Sequence, residues 1–283
     1  MVGTVLSFTS MAVAGRELSA GLDTFEIMLY RSLVGVGIVL AVGAAAGTLS
    51  QVSVLRFRLH VIRNVTHFTA QNLWFYAVAT IPLAQVVALE FTSPLWVVLL
   101  APLVLGERLT PVRALAALLG FVGILIVARP GLTPLEAGQV TAAGAALGFA
   151  LTALATRALT RTESITCIMF WLTAMQAVFG LAAAGVDGDI ALPGPGALPF
   201  VALVGVAGLS AHFCLTNALR LAPAGVVMPM DFARLPVIAF VGMALYAEPL
   251  EWAVLVGALV IFAANWINIR AQTRETTQAL RPE

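Results

Sequence analysis

Four ionisable side chains, Arg31, Glu90, Asp231 and Arg234, stand inside runs that are otherwise apolar and long enough to cross a membrane. A charge in that setting costs roughly 2.5–3.5 kcal/mol on the insertion scale, so it is normally retained for function. Guanidinium forks match carboxylates, and acids match ammonium groups. In one reading the four serve each other, Asp231 with Arg234 at i,i+3 and Glu90 with Arg31, and merely hold helices together. In the other the pairs are incomplete and a zwitterion completes them. With a helical rise of about 1.5 Å per residue in a core of about 30 Å, all four fall in one layer near the midplane.

Neutral polar groups accompany them. His67, Gln71 and Trp74 recur at i, i+4 and i+7 on one face of the third apolar run, with Asn72 on a neighbouring face. His212, Thr216 and Asn217 lie on the eighth, and Trp96 lies deep in the fourth. A lone membrane His or Asn is commonly an interhelical hydrogen-bond partner; lining a common cavity is the alternative. The expected ligand-binding set is therefore Arg31, Gln71, Asn72, Trp74, Glu90, Trp96, His212, Asp231 and Arg234.

The composition dictates what carries these groups. Of 283 residues 60% are hydrophobic and 10% charged, against about 25% charged in soluble domains. Ten spans are expected, at about 2–19, 24–46, 62–80, 83–105, 111–128, 138–158, 164–186, 198–219, 223–246 and 251–270. No basic residue precedes the first, as a secretory signal would require. The net charge of +1 argues against nucleic acid, and all fifteen basic residues are Arg, which excludes a Walker-type lysine loop and Schiff-base chemistry. Cys167 and Cys214 read as small buried hydrophobes, and three scattered histidines without a His/Cys cluster predict neither metal nor cofactor. Ser210 and His212, two apart on a helix, point to different faces and form no nucleophile-base pair.

The fourth span repeats as the ninth. A shift of 141 positions lays Pro82 over Pro223, Glu90-Phe91 over Asp231-Phe232 and Glu107 over Glu248 without a gap, and it also lays Phe8 over Phe149 and Arg16 over Arg157. Five spans per repeat is an odd number, so the halves enter the bilayer from opposite sides. The expected fold is thus an all-α membrane protein of ten transmembrane helices, two inverted five-helix repeats around a central cavity, with repeats at 1–136 and 137–283. In this register the first helix is expected to begin upstream of Met1. Eleven arginines, Arg63 counted with the connections among them, fall on one side of the spans against Arg16 and Arg129 on the other, placing both termini in the cytoplasm.

Prolines interrupt both copies, Pro82, Pro94 and Pro102 in one and Pro223, Pro229 and Pro236 in the other, and each proline removes a backbone donor. Kinks at Pro94 and Pro236 make the fourth and ninth spans the expected moving gates. Glu107 and Glu248 close the two spans; each is a helix-capping anion or a gate at the membrane surface.

The ends IPLAQVVALEFTSPLWVVLLAPLVLGERLTP and LAPAGVVMPMDFARLPVIAFVGMALYAEPLEW resemble the EamA family of the drug/metabolite transporter superfamily, across essentially the whole chain. Within it, the chain looks most like the aromatic amino-acid exporters of the YddG type. The resemblance implies a basket of helices working by alternating access. The expectation is an exporter of amino acids or similar small zwitterions in a bacterial inner membrane, monomeric or a weak homodimer, whose partners are its substrate and the lipid. An importer of larger anionic metabolites, such as nucleotide derivatives or S-adenosylmethionine, is the alternative, using Arg31 and Arg234. An intramembrane enzyme or a structural membrane protein is the alternative from another class.

Overall fold

The computed structural model describes residues 1–105, 110–129, 134–186, 188–221 and 227–279; the side chains at 98, 101–105, 113, 228, 229, 232 and 272–279 lie outside that description. Its regular structure there is helical throughout, as it must be where no water can satisfy the backbone. The first half runs α1 (Val2–Leu18), α2 (Thr24–Ala45), α3 (Phe57–Thr80), α4 (Leu83–Glu90), α5 (Ser93–Leu105) and α6 (Pro111–Ala128). The second runs α7 (Ala137–Leu159), α8 (Ile165–Ala184), α9 (Leu198–Leu221), a 3-10 turn (Met228–Ala233), α10 (Arg234–Tyr246) and α11 (Trp252–Ala279). Local signals set the ends: Asp23 and Glu26 form a reciprocal capping box on α2, Ser164 accepts from Cys167 N on α8, and Pro111 occupies the first turn of α6.

Packing follows the repeat. α1 lies on α9 as α7 lies on α3, while α2 lies on α8 and α6 on α11, each of these helices on its own counterpart. A two-fold operation exchanging the halves requires that pattern. Glycine permits the closest approach: a Cβ on Gly123 would stand 2.9 Å from Gly257 O, and one on Gly257 2.8 Å from Gly123 O. Leu33, Leu118, Val178, Phe240 and Leu259 stay exposed on the outside, an apolar girdle suited to lipid.

The expected fourth and ninth spans are each broken near the midplane. α4 ends at Glu90 and α5 restarts at Ser93, with Leu95 N and Trp96 N both bonding back to Thr92 O. The carbonyl of Phe91 instead accepts from Asn265 Nδ2 of α11 at 3.3 Å. Pro94 and Pro236 therefore do not kink continuous helices. Each stands in the first turn of a new one, α5 and α10, where a missing donor costs nothing.

Candidate functional site

Both breaks deliver their acids to one cation. Arg234, 1% exposed at the start of α10, donates through Nη2 to Glu90 Oε1 at 2.6 Å and to Asp231 Oδ2 at 2.8 Å. Trp74 Nε1 of α3 holds the second Glu90 oxygen at 2.8 Å. The Arg234 guanidinium also stands 5.0 Å from the Phe8 ring and 5.6 Å from the Phe91 ring. Two carboxylates, one guanidinium and an indole thus close a cluster between α1, α3, α4 and α10.

A cavity of about 70 Å³ opens beside it. At roughly 10–15 Å³ per water that is room for a few waters, so a metabolite enters only when the walls part. Its lining follows the repeat: Phe8 and Phe149, Met11 and Thr152, Gln71 and His212, Trp74 and Leu215, and Glu90 and Asp231 are pairs separated by 141 positions. Beyond them lie His67, Arg63, Thr156, Thr216 and Leu219. The His67 and His212 rings meet edge to face at 4.7 Å, and His212 meets Phe8 in the same way at 5.7 Å. Both His67 nitrogens, Gln71 Nε2, His212 Nε2 and Asp231 Oδ1 are buried without a hydrogen-bond partner. Orphaned polar atoms at that density cost about 1–3 kcal/mol apiece unless something else satisfies them.

Gln71, Trp74, Glu90, His212, Asp231 and Arg234 therefore converge on the cavity, and three residues expected with them do not. Arg31 is not paired with Glu90. It lies buried against α9, where a Cβ on Gly208 would come within 2.4 Å of its Nε, and its Nη1 reaches Met28 Sδ at 3.8 Å. Asn72 turns back to donate to Phe68 O at 2.8 Å on the adjoining face of α3. Trp96 packs edge to face on Phe121 of α6 at 4.9 Å, because the break at Phe91 rotates α5 relative to α4. Arg63, placed by its sequence position in a connection, is instead 1% exposed and donates to Thr156 Oγ1 at 3.2 Å and Asn64 Oδ1 at 2.8 Å. Its place at i−4 from His67, on the face that carries Gln71, was the missed signal.

Glu248 lies outside the cavity at one end of the molecule. Its Oε1 pairs with Arg16 Nη1 at 2.9 Å and its Oε2 accepts from Leu83 N at 2.9 Å. Arg16 further donates to Ile81 O at 2.6 Å and to Val78 O. At the other end Arg157 donates to Leu219 O, the 141-position image of the bond between Arg16 and Val78. Glu107, the counterpart of Glu248, lies outside the described residues. The histidines are not all scattered, either: His60, Glu163 and Cys167 meet away from this cavity, with ligand atoms within 4.8 Å of one another. Separations of more than 100 positions hid that cluster.

Broken helices from two repeats meeting at a charged midplane cavity define a multi-pass membrane transporter of the inverted-repeat kind. The profile of the EamA-like transporter family matches residues 1–129 and again 136–270, and the chain belongs to that family. It is 32% identical over 218 residues to a riboflavin transporter of Brucella anthropi, covering 76% of this chain and 77% of the relative. A riboflavin transporter of Vibrio cholerae is 24% identical over 93% of this chain and 90% of its own. An S-adenosylmethionine uptake transporter of Rickettsia bellii is 21% identical over 98% and 94%. A crystal structure with 18% identity superposes with a TM-score of 0.65 over 96% of this chain and 98% of the other, a likeness of fold. These relatives place the chain in the family and not with aromatic amino-acid exporters in particular. A family of transporters also sets aside the intramembrane-enzyme alternative.

Proposed function

We propose that the protein carries a flat heteroaromatic metabolite, riboflavin foremost, across the bacterial inner membrane by alternating access, with both termini cytoplasmic. The carrying observation is that the two acids of the cavity already share a cation: Arg234 binds both Glu90 and Asp231, while the unsatisfied groups facing the cavity include His67, Gln71 and His212 between the rings of Phe8, Trp74 and Phe149. A zwitterionic amino acid would have to break that cluster in order to bind. An uncharged ring system edged with carbonyls and an imide N–H needs what the cavity leaves unpaired, hydrogen-bond partners between aromatic faces. The relatives that transport riboflavin support the same reading.

A second reading has one observation of its own. Asp231 Oδ1 is buried without a partner on the cavity wall, an acceptor that suits a cationic nucleoside derivative such as S-adenosylmethionine. The deciding experiment is flux into proteoliposomes of the purified chain with riboflavin, S-adenosylmethionine and aromatic amino acids, each alone and in competition. Riboflavin flux should be saturable, insensitive to phenylalanine and at least about tenfold slower in Gln71→Ala and His212→Ala, each losing one hydrogen bond to the ring. Phenylalanine or tryptophan flux without riboflavin flux would overturn the proposal.

A further inference from the structure

We propose that His60, Glu163 and Cys167 form a binding site for one borderline-soft divalent cation, Zn²⁺ foremost, that joins the two repeats. The three offer a nitrogen, an oxygen and a sulfur within 4.8 Å of one another, His60 from α3 in the first repeat, Glu163 from the turn before α8 and Cys167 from the start of α8 in the second. His60 and Cys167 are both fully buried, and His60 Nε2 lies 3.8 Å from Cys167 Sγ. Two ligands at Zn–N and Zn–S lengths of about 2.05 and 2.3 Å, at a tetrahedral angle, stand roughly 3.6 Å apart, so the existing separation is within a few tenths of an ångström of a bound pair. The Glu163 carboxylate, on a half-buried side chain, has one buried oxygen without a partner and closes the remaining distance by side-chain rotation.

The surroundings suit a metal-bound thiolate. Ser53 N donates to Cys167 Sγ at 3.4 Å, a bond that strengthens when the sulfur is charged, and Ser53 O, 3.6 Å from the sulfur, is also held by Trp171 Nε1 at 2.8 Å. Ser164 fixes the Cys167 backbone by capping α8 at 3.1 Å. His60 lies beside the Trp171 indole, with ring centres 6.1 Å apart, and its Nδ1 is unpartnered. Three protein ligands leave a fourth position open to water, as in sites that keep an exchangeable metal. Nothing in the transport reading uses these residues, so the two stand or fall separately.

The test is titration of the tag-free, detergent-purified full chain with Co²⁺, followed by displacement with Zn²⁺. One equivalent should produce a thiolate-to-cobalt charge-transfer band together with the visible bands of a four-coordinate ion, and Zn²⁺ should abolish both and raise Tm. The band should vanish in Cys167→Ser, persist in Cys214→Ser and need at least about tenfold more metal in Glu163→Gln, whose shape is unchanged. Absence of the band in the unsubstituted chain, its survival in Cys167→Ser, or unchanged affinity in Glu163→Gln overturns the site. Should Cys167→Ser fail to fold, the Glu163→Gln comparison decides alone.

Discussion

The two ends of the cavity are images of each other under the repeat, yet their described residues pack differently. At the Arg16 end Gly15 and Phe75 close against each other so tightly that a Cβ on Gly15 would stand 2.5 Å from Phe75 Cε1, and Val78 is fully buried. Their counterparts 141 positions on, Thr156, Thr216 and Leu219, line the cavity instead. Both ends keep the arginine bond to an α-helical carbonyl, from Arg16 to Val78 and from Arg157 to Leu219; Arg16 also holds Ile81 O and Glu248, whose counterparts Ala222 and Glu107 lie outside the described residues. Among the described residues, one ancestral unit thus packs tightly at one end and lines the cavity at the other. Under the proposed alternating access the two arrangements exchange, with contacts such as that of Gly15 on Phe75 made and broken at each end in turn.

The cluster between the ends belongs to both, so breaking it should have the largest effect. Arg234→Ala leaves Glu90 and Asp231 buried against each other without their shared cation, a loss of about 3–5 kcal/mol. The expected result is a thermal midpoint lowered by many degrees and no flux; a variant as stable as the parent would show that the two carboxylates take up protons at no cost.

Next come the arginines at the two ends. Arg16→Gln gives up the Glu248 pair and two carbonyl bonds, at about 1.5–3 kcal/mol for a charged hydrogen bond in partial burial. Hydrogen exchange should then accelerate at least about tenfold in residues 78–86 and stay unchanged in 215–221. Arg157→Gln should do the reverse. Equal acceleration at both ends in either variant would mean that the arginines serve global stability and the ends are not separate gates.

The fold was legible in the sequence because the bilayer allows so few solutions. Unsatisfied backbone excludes everything but helices, apolar length counts the spans, and the ungapped match of Pro82–Glu107 to Pro223–Glu248 exposes the repeat. The site was legible where the residue type alone is costly in lipid, as for Glu90, Asp231 and Arg234. It was lost where rotation decides. Trp96 follows Glu90 by six positions and would share its helix, but the restart at Ser93 turns it onto Phe121. Arg63 was lost for the opposite reason, since a charge near a span end reads as a connection until the helix is seen to start earlier, at Phe57. Which cation Glu90 chooses, Arg234 and not Arg31, depends on the crossing of α4 and α10, which no local pattern encodes.

Smaller substitutions sharpen the contrast between the ends. Gly15→Ala forces a methyl into the Phe75 ring, an overpacking cost of about 1–3 kcal/mol paid only in the closed arrangement of that end. It should lower Tm modestly, speed exchange at residues 78–86 and bias the carrier towards opening there. The image position is Thr156, and Thr156→Ala is the mildest change of all. It removes the 3.2 Å hydroxyl acceptor of Arg63, but the space it frees opens onto the cavity, where water can take the place of the hydroxyl, so the loss is about 0.5–1.5 kcal/mol. Half-saturation for the transported metabolite should shift while Tm barely moves. A Tm loss in Thr156→Ala as large as in Gly15→Ala would mean that both ends are equally packed, and the asymmetry on which alternation rests would be gone.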